Sequence, residues 1–100
     1  MNPVFSPVGN TVILAMSTVS AEAAITGAGH ATSVVRVYND AVVPAHFKFS
    51  NGGGQVATTA DNFIAAKVTE LFSVQGNTTH ITAILGTGTG NLYAIRGGGQ

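Results

Sequence analysis

Cysteine and tryptophan are both absent from this 100-residue chain. Without thiols there is no disulfide and no thiolate metal site, so the fold does not depend on an oxidising compartment. Charge is almost as scarce. Lys, Arg, Asp and Glu make up 8% of the residues and cancel to a formal net charge of zero, where an average soluble domain carries roughly 25% charged residues. Phosphate binding needs clustered cations, so a nucleic-acid partner is excluded. Long apolar runs are missing too. The most apolar stretch, TVILAMST at residues 11–18, is far too short to span a bilayer. It precedes a small-x-small segment at Ala21-Glu22-Ala23, as a signal peptide would, but no Lys or Arg stands before it. No membrane partner and no signal peptide are therefore expected.

What remains is apolar and glycine-rich. Hydrophobic residues make up 45% of the chain, which argues against disorder. A chain of this length suits a single domain with one real core. With so little charge there is little colloidal repulsion, and a neutral surface of this kind favours association. A homo-oligomer is expected.

The clearest pattern lies at residues 34–49, VVRVYNDAVVPAHFKF. Val35 and Val37 alternate with Val34, Arg36 and Tyr38. Ala45, Phe47 and Phe49 then alternate with His46 and Lys48. A period of two marks extended strands, because successive side chains leave opposite faces. Asn39-Asp40 breaks the first run and Pro44 marks where the second can begin. The spacing predicts a β-hairpin with Val35, Val37, Phe47 and Phe49 on its core face.

Elsewhere the same logic gives a buried strand at residues 11–18 and either a helical turn or a strand at 21–25. A short edge strand is expected at 55–60, a turn at 61–64 that drops Phe63 onto the core, and strands at 67–74, 79–85 and 92–96. Glycine punctuates nearly every connection. The prediction is an all-β chain: a small antiparallel β-sandwich, jelly-roll-like, of about six to eight short strands. Residues 1–10, with Pro3, Pro7 and Gly9, read as an extended N-terminal arm. Residues 11–96 form the sandwich domain, and 97–100 a flexible Gly-rich tail.

Candidate chemistry is thin. His30, His46 and His80 would bind a metal only if they converged, and no local spacing brings them together. Asp40 and Asp61 sit in turn sequences, where Asp caps backbone amides. The Gly-rich segments lack the Lys-Ser/Thr of a phosphate loop, and no G-x-S-x-G nucleophile motif occurs. No catalytic residue, cofactor or metal is expected. Glu70 falls on the same face as Val68, Phe72 and Val74. A carboxylate there needs a cationic partner, such as Arg36, Lys48 or Arg96, or a bulge near Thr69 that turns it to solvent. Pairing is the favoured outcome. Tyr38 and Tyr93 are the two aromatic platforms on which a sugar could stack.

Arg36-Val37-Tyr38-Asn39, a short apolar loop ending in Pro44, and Phe47-Lys48-Phe49 together resemble small virion proteins of tailed bacteriophages. The resemblance continues through Thr58-Thr59-Ala60-Asp61, then Val68-Thr69-Glu70-Leu71-Phe72-Ser73-Val74 and Thr79-His80-Ile81-Thr82-Ala83-Ile84. It ends on Gly88-Thr89-Gly90-Asn91-Leu92-Tyr93 and the Gly-rich terminus. This chain departs from that pattern in its longer Asn51-Gly52-Gly53-Gly54 connection and in Asp61-Asn62-Phe63-Ile64. The resemblance implies a β-sandwich structural component, of the kind that cements or decorates a capsid. It implies a location on the capsid surface after synthesis in the host cytoplasm, with the major capsid protein as partner. A trimer is the favoured self-assembly, since it would match a capsid three-fold axis. The expected interface residues are Val4, Phe5 and Val8 of the arm, with Arg36, Tyr38, His46, Lys48 and Glu70. The rival expectation is a glycan- or receptor-binding module of a tail or fibre.

Overall fold

The structure is a computed structural model that describes residues 6–7, 11–25, 32–75 and 78–98. Val4, Phe5, Val8 and His30 lie outside the described residues. Among those described there is no helix. The strands are β1 (Ser6–Pro7), β2 (Val12–Met16), β3 (Ala21–Ala24), β4 (Thr32–Asn39), β5 (Ala45–Ser50), β6 (Asn62–Ile64), β7 (Thr69–Gln75), β8 (His80–Leu85) and β9 (Gly90–Gly98).

They form two antiparallel sheets packed face to face. Sheet A runs β9-β4-β7, with β1 and β2 sharing the outer side of β9; sheet B runs β3-β8-β5-β6. The nesting of the pairs defines the architecture. Strand β2 pairs β9, β3 pairs β8, β4 pairs β7 and β5 pairs β6. One long hairpin has been rolled up so that its strands alternate between two layers. This is the jelly-roll arrangement, a β-sandwich as the sequence pattern predicts.

The core lies between the layers. Leu14, Met16, Val35, Val37, Leu92 and Ala94 face inward from sheet A, and Ala45, Phe47, Ile64, Ile81, Ala83 and Leu85 from sheet B. Phe47 and Phe49 of β5 meet Phe72 of β7 across the gap, with ring centroids 4.9 Å apart for Phe47–Phe72 and 6.0 Å for Phe49–Phe72. Edge-on aromatic pairs of this kind contribute about 0.5–1.5 kcal/mol beyond area burial, so the cluster fastens the two layers together.

The expected hairpin at residues 34–49 does not form. Its two runs are strands, but β4 belongs to sheet A and β5 to sheet B. Both keep the core faces assigned to them. A period of two reports only that a strand has one buried face; it does not distinguish a strand beside its neighbour from one opposite it. The connector between them crosses the top of the sandwich, where Gly90 is required. A Cβ on Gly90 would stand 2.5 Å from Ala41 Cβ and 2.8 Å from Ala41 Cα, closer than packed carbon atoms approach.

Other expectations are corrected as well. Residues 11–18 hold an edge strand with one face exposed, not a fully buried one: Leu14 and Met16 are buried while Ile13 is exposed. Residues 21–24 are strand rather than helical turn. Residues 55–60 form no strand. In the following segment Ile64 plugs the core and Phe63 points to solvent, because β6 is a strand whose alternation puts only one of the two inward. Gly97 and Gly98 are not a free tail but the end of β9, paired with Pro7 and Ser6 of the arm.

Candidate docking face

The register of sheet A lays out its outer surface row by row. One row runs Ile13, Tyr93, Tyr38, Thr69; the next runs Ile95, Arg36, Leu71; a third holds Gly97, Val34 and Ser73. Most of these side chains are apolar or aromatic. Ile13 and Leu71, at opposite borders, remain 60% and 57% exposed. Strands about 4.8 Å apart and rows about 7 Å apart make this a surface of about 400 Å² in projection. That area includes Arg36, Thr69 and Ser73; the largest apolar patch on a protein surface is often a functional one, whereas scattered exposed residues need no explanation.

At one corner the face turns polar. The Tyr38 and Tyr93 rings lie 6.1 Å apart at 34°. The Tyr38 hydroxyl donates to Asp40, which also accepts Lys67 Nζ at 2.9 Å. The Lys67 side chain holds the Asp40 carboxyl below its ordinary value, and Asp40 in turn raises the Lys67 ammonium. Lys67 adopts a left-handed backbone, φ 60°. It is held there by its amide donating to Asn39 O at 2.8 Å and by its ammonium donating to Asp40 O at 2.9 Å. Asp40 is thus an ion-pair partner rather than the amide cap expected of it. Asp61 does cap an amide, accepting from Thr58 N at 2.7 Å.

The outer face of sheet B is partly covered by the chain itself, while Phe63 at its β6 border stays exposed. Residues 51–57 fold back over sheet B. Gly52 N donates to Thr79 Oγ1 at 2.7 Å, and Ala57 N donates to Ser20 Oγ at 2.8 Å. Between them Glu22 accepts from Gly54 N at 2.9 Å, from Gln55 N at 3.0 Å and from the Thr82 hydroxyl at 3.1 Å. Gly53 packs so closely that a Cβ there would stand 3.0 Å from Glu22 Oε1. Thr82 consequently has no exposed surface despite its outward position.

The Gly54 and Gln55 amides, with help from Thr82 and His80, hold the Glu22 carboxyl below its ordinary value of 4.5 against the opposing effect of desolvation. A carboxyl with a depressed folded-state pKa contributes stability that is fully present above the unfolded value and lost as pH falls through the folded one. Acidification below about pH 4.5 is therefore expected to release residues 51–57 from sheet B, and Glu22→Gln to loosen them at neutral pH. Amide exchange at Gly54 and Gln55 measures this. Equal protection in Glu22→Gln and the parent at neutral pH would show that the loop holds by other means.

The described residues expected at an interface lie on different surfaces. Arg36 and Tyr38 stand on the outer face of sheet A. His46 and Lys48 stand on sheet B, where Lys48 pairs with Asp61 at 3.6 Å and His46 Nδ1 lies 3.4 Å from Asp61 O. Glu70 has no ion-pair partner among the described residues, and no bulge displaces it. The β4–β7 register is unbroken from Thr32↔Gln75 to Tyr38↔Thr69, and Glu70 lies opposite Val37. It therefore leaves the core side of an edge strand, where it reaches solvent, and it forms no ion pair with another described residue.

His46 and His80 sit at separate positions of sheet B, in register with Ile84 and Ser50 respectively. Among the described residues no three His, Cys, Asp or Glu side chains are grouped to hold a metal ion. His80 Nδ1 lies 2.8 Å from Thr79 Oγ1, but that hydroxyl already accepts the Gly52 amide, which makes it an anchor for the loop. A groove of about 370 Å³ opens between the ends of β5 and β7, beside Phe49, Ser50, Val74 and Thr78, and among the described residues no titratable group lines it.

Ile13, Leu71, Ile95 and Val34 were missed as candidates. Their signal was legible: VILAM, LYAI and VVRVY are apolar on both alternating faces, whereas AHFKFS in sheet B is apolar on one. Strands with two apolar faces need cover on both. No family model, curated protein or solved structure matches the chain.

Proposed function

We propose that this chain is a non-enzymatic structural protein of a tailed-bacteriophage virion, a cement or decoration protein that seats on the exterior of the capsid. The observation that carries this reading is the largely apolar outer face of sheet A, which no other described segment covers, on a molecule whose residues 51–57 fold back over part of sheet B. A face built to stay wet would carry charge throughout; among the described residues this one carries Arg36 in its middle row and the Asp40–Lys67 pair at a corner. The jelly roll supports the reading by analogy of fold, since viral capsid domains use it; lectins and cupins use it too. The partner is the major capsid protein. The contact is apolar and backbone-mediated, bridging neighbouring capsid subunits with little help from charge. The protein is made in the host cytoplasm and ends on the capsid surface.

Mixing the purified protein with undecorated capsids and imaging them tests this. Decoration is expected to persist as salt rises, because there are few charges to screen. It is expected to be lost in Ile13→Lys/Tyr93→Lys, which places ammonium groups in the centre and at the border of the face. Binding that collapses at moderate salt, or that survives both substitutions, overturns the proposal.

The tyrosine pair supports a second reading. Tyr38 and Tyr93 stand side by side and half-exposed, with Asp40 and Lys67 as polar neighbours, which is a fitting platform for a sugar ring. Saturable binding to cell-surface glycans, abolished by Tyr38→Ala or Tyr93→Ala, together with no capsid binding, would favour a tail or fibre module instead.

A further inference from the structure

We infer that β7 is a strand-pairing edge for a second copy of this chain, the two β7 strands joining antiparallel across a two-fold axis. Strand β7 spans 7 residues, Thr69–Gln75, and pairs with β4 along its whole length. On its second side no strand lies beside it among the described residues. A bare edge is a row of unused amide donors and carbonyl acceptors, and soluble proteins normally blunt it with proline, lysine, a bulge, short length or a covering loop. The other edges are shorter. Strand β1 has 2 residues and includes Pro7, β2 has 5, β3 has 4 and β6 has 3. Strand β7 has no proline, no Lys or Arg, and an unbroken register. It is the longest edge strand of the described residues.

An axis at the middle residue of β7 pairs all 7 of its residues, and the strand's single charge does not oppose that register. A two-fold axis at Phe72 sets Glu70 opposite Val74 of the second copy, Leu71 opposite Ser73, and Phe72 opposite itself. No like charges meet. An axis at Glu70 would instead set two carboxylates directly opposite each other, which is unfavourable. In the Phe72 register the partly buried Phe72 rings close over one another, and the two apolar outer faces merge into one surface twice as wide. Zero net charge leaves no long-range repulsion against this approach. The contact is isologous, so it closes as a dimer. The inference needs only the free protein and stands whether or not that protein binds a capsid.

Light scattering over a dilution series tests it. The parent protein is expected at 20.2 kDa, twice the 10.1 kDa of the chain. Leu71→Lys/Ser73→Lys puts lysine against lysine at two rungs of the junction, and is expected to weaken dimerisation by about tenfold or more. Leu71→Lys/Ser73→Glu puts lysine against glutamate at the same rungs and is expected to restore dimerisation at least to the parent level. Both variants place the same lysine beside Arg36, so the difference between them reads the junction. Melting curves check that each remains folded, as exposed positions allow. A parent protein that is monomeric or trimeric overturns the inference. So does a double-lysine variant that dimerises as the parent does, or a charge-swapped variant that does not recover.

Discussion

Asn39→Ala is expected to lower the stability of this protein by about 3 kcal/mol, the loss that follows when a buried side chain that makes several hydrogen bonds is removed. Asn39 is fully buried at the end of β4. Its side-chain amide donates to Val43 O at 3.0 Å, Ile64 O at 3.2 Å and Ala65 O at 3.3 Å, while its oxygen accepts from Ala41 N at 3.0 Å. One side chain thus holds the connector that carries the chain from sheet A to sheet B, the end of β6 and the turn into β7. Its backbone adds bonds to Val68 O at 3.1 Å and from Lys67 N at 2.8 Å. For a domain of this size about 3 kcal/mol corresponds to a fall of about 10–20 °C in Tm. Asn39→Leu preserves volume and should not recover the loss. Asn39→Asp should be worse at neutral pH, because it turns a carboxylate toward three carbonyl oxygens. That apposition raises the pKa of the introduced group, so the variant should be least unstable below the ordinary Asp range and lose stability as pH rises through it. Thermal melts across pH measure both effects. A shift in Tm of only a degree or two in Asn39→Ala would mean that the three segments are held by packing alone.

Asn39 also shows how far the sequence could be read. Asn39-Asp40 marked the break between two strands correctly, and the alternation on either side placed Val35, Val37 and Phe47 in the core. Nothing in the spacing said that the break carries the chain across the sandwich. Strand identity is local, written in a period of two. Strand partnership is set by long-range contacts such as Asn39 to Ile64 and Phe47 to Phe72, which connect residues far apart in the chain. The same limit explains Glu70. Its face was assigned correctly, opposite Val37, but burial depends on whether the strand is central or at an edge, and β7 is at an edge. Phe63 and Ile64 were both apolar enough to plug the core, and only the register of β6 chose between them.

The docking face was legible in a different sense. The charged residues of the alternating strands drew the sequence reading toward Arg36, Lys48 and Glu70, which the fold scatters over three surfaces. In a chain with so few charges the informative residues were the apolar ones on outward positions: Ile13 between Val12 and Leu14, Ile95 after Ala94, and Leu71 before Phe72. Glu22 gave no signal at all. Its role depends on a glycine-rich loop arriving from more than 30 residues away, and the small residues flanking it suggested a processing site instead.

Arg96→Met is expected to cost a comparable amount, about 3 kcal/mol, at the far end of the sandwich. Arg96 is in register with Val35, a core residue, so it points inward from β9, and it is the largest fully buried side chain. Burial pushes its pKa down from the usual guanidinium value, yet a guanidinium keeps its proton in a protein. The cation donates to Thr78 O through Nη1 and to Gln75 O at 3.0 Å through Nη2, so it gathers the carbonyls on either side of the β7–β8 connection. Methionine fills the space without donors; Thr78 O loses its donor in a buried position, and Gln75 O keeps the Thr78 amide alone. Lysine keeps the charge but offers a single ammonium where a planar fork reaches two acceptors, so Arg96→Lys should recover less than half of the loss. The signature is spatial as well as energetic: amide exchange should rise first at Gln75 and Thr78 in Arg96→Met, and at Ala41 and Val43 in Asn39→Ala. If Arg96→Met instead melts at or above the parent temperature, the cost of burying the cation exceeds what its hydrogen bonds return. In that case the β7–β8 connection is held by Phe72, Val74 and their neighbours.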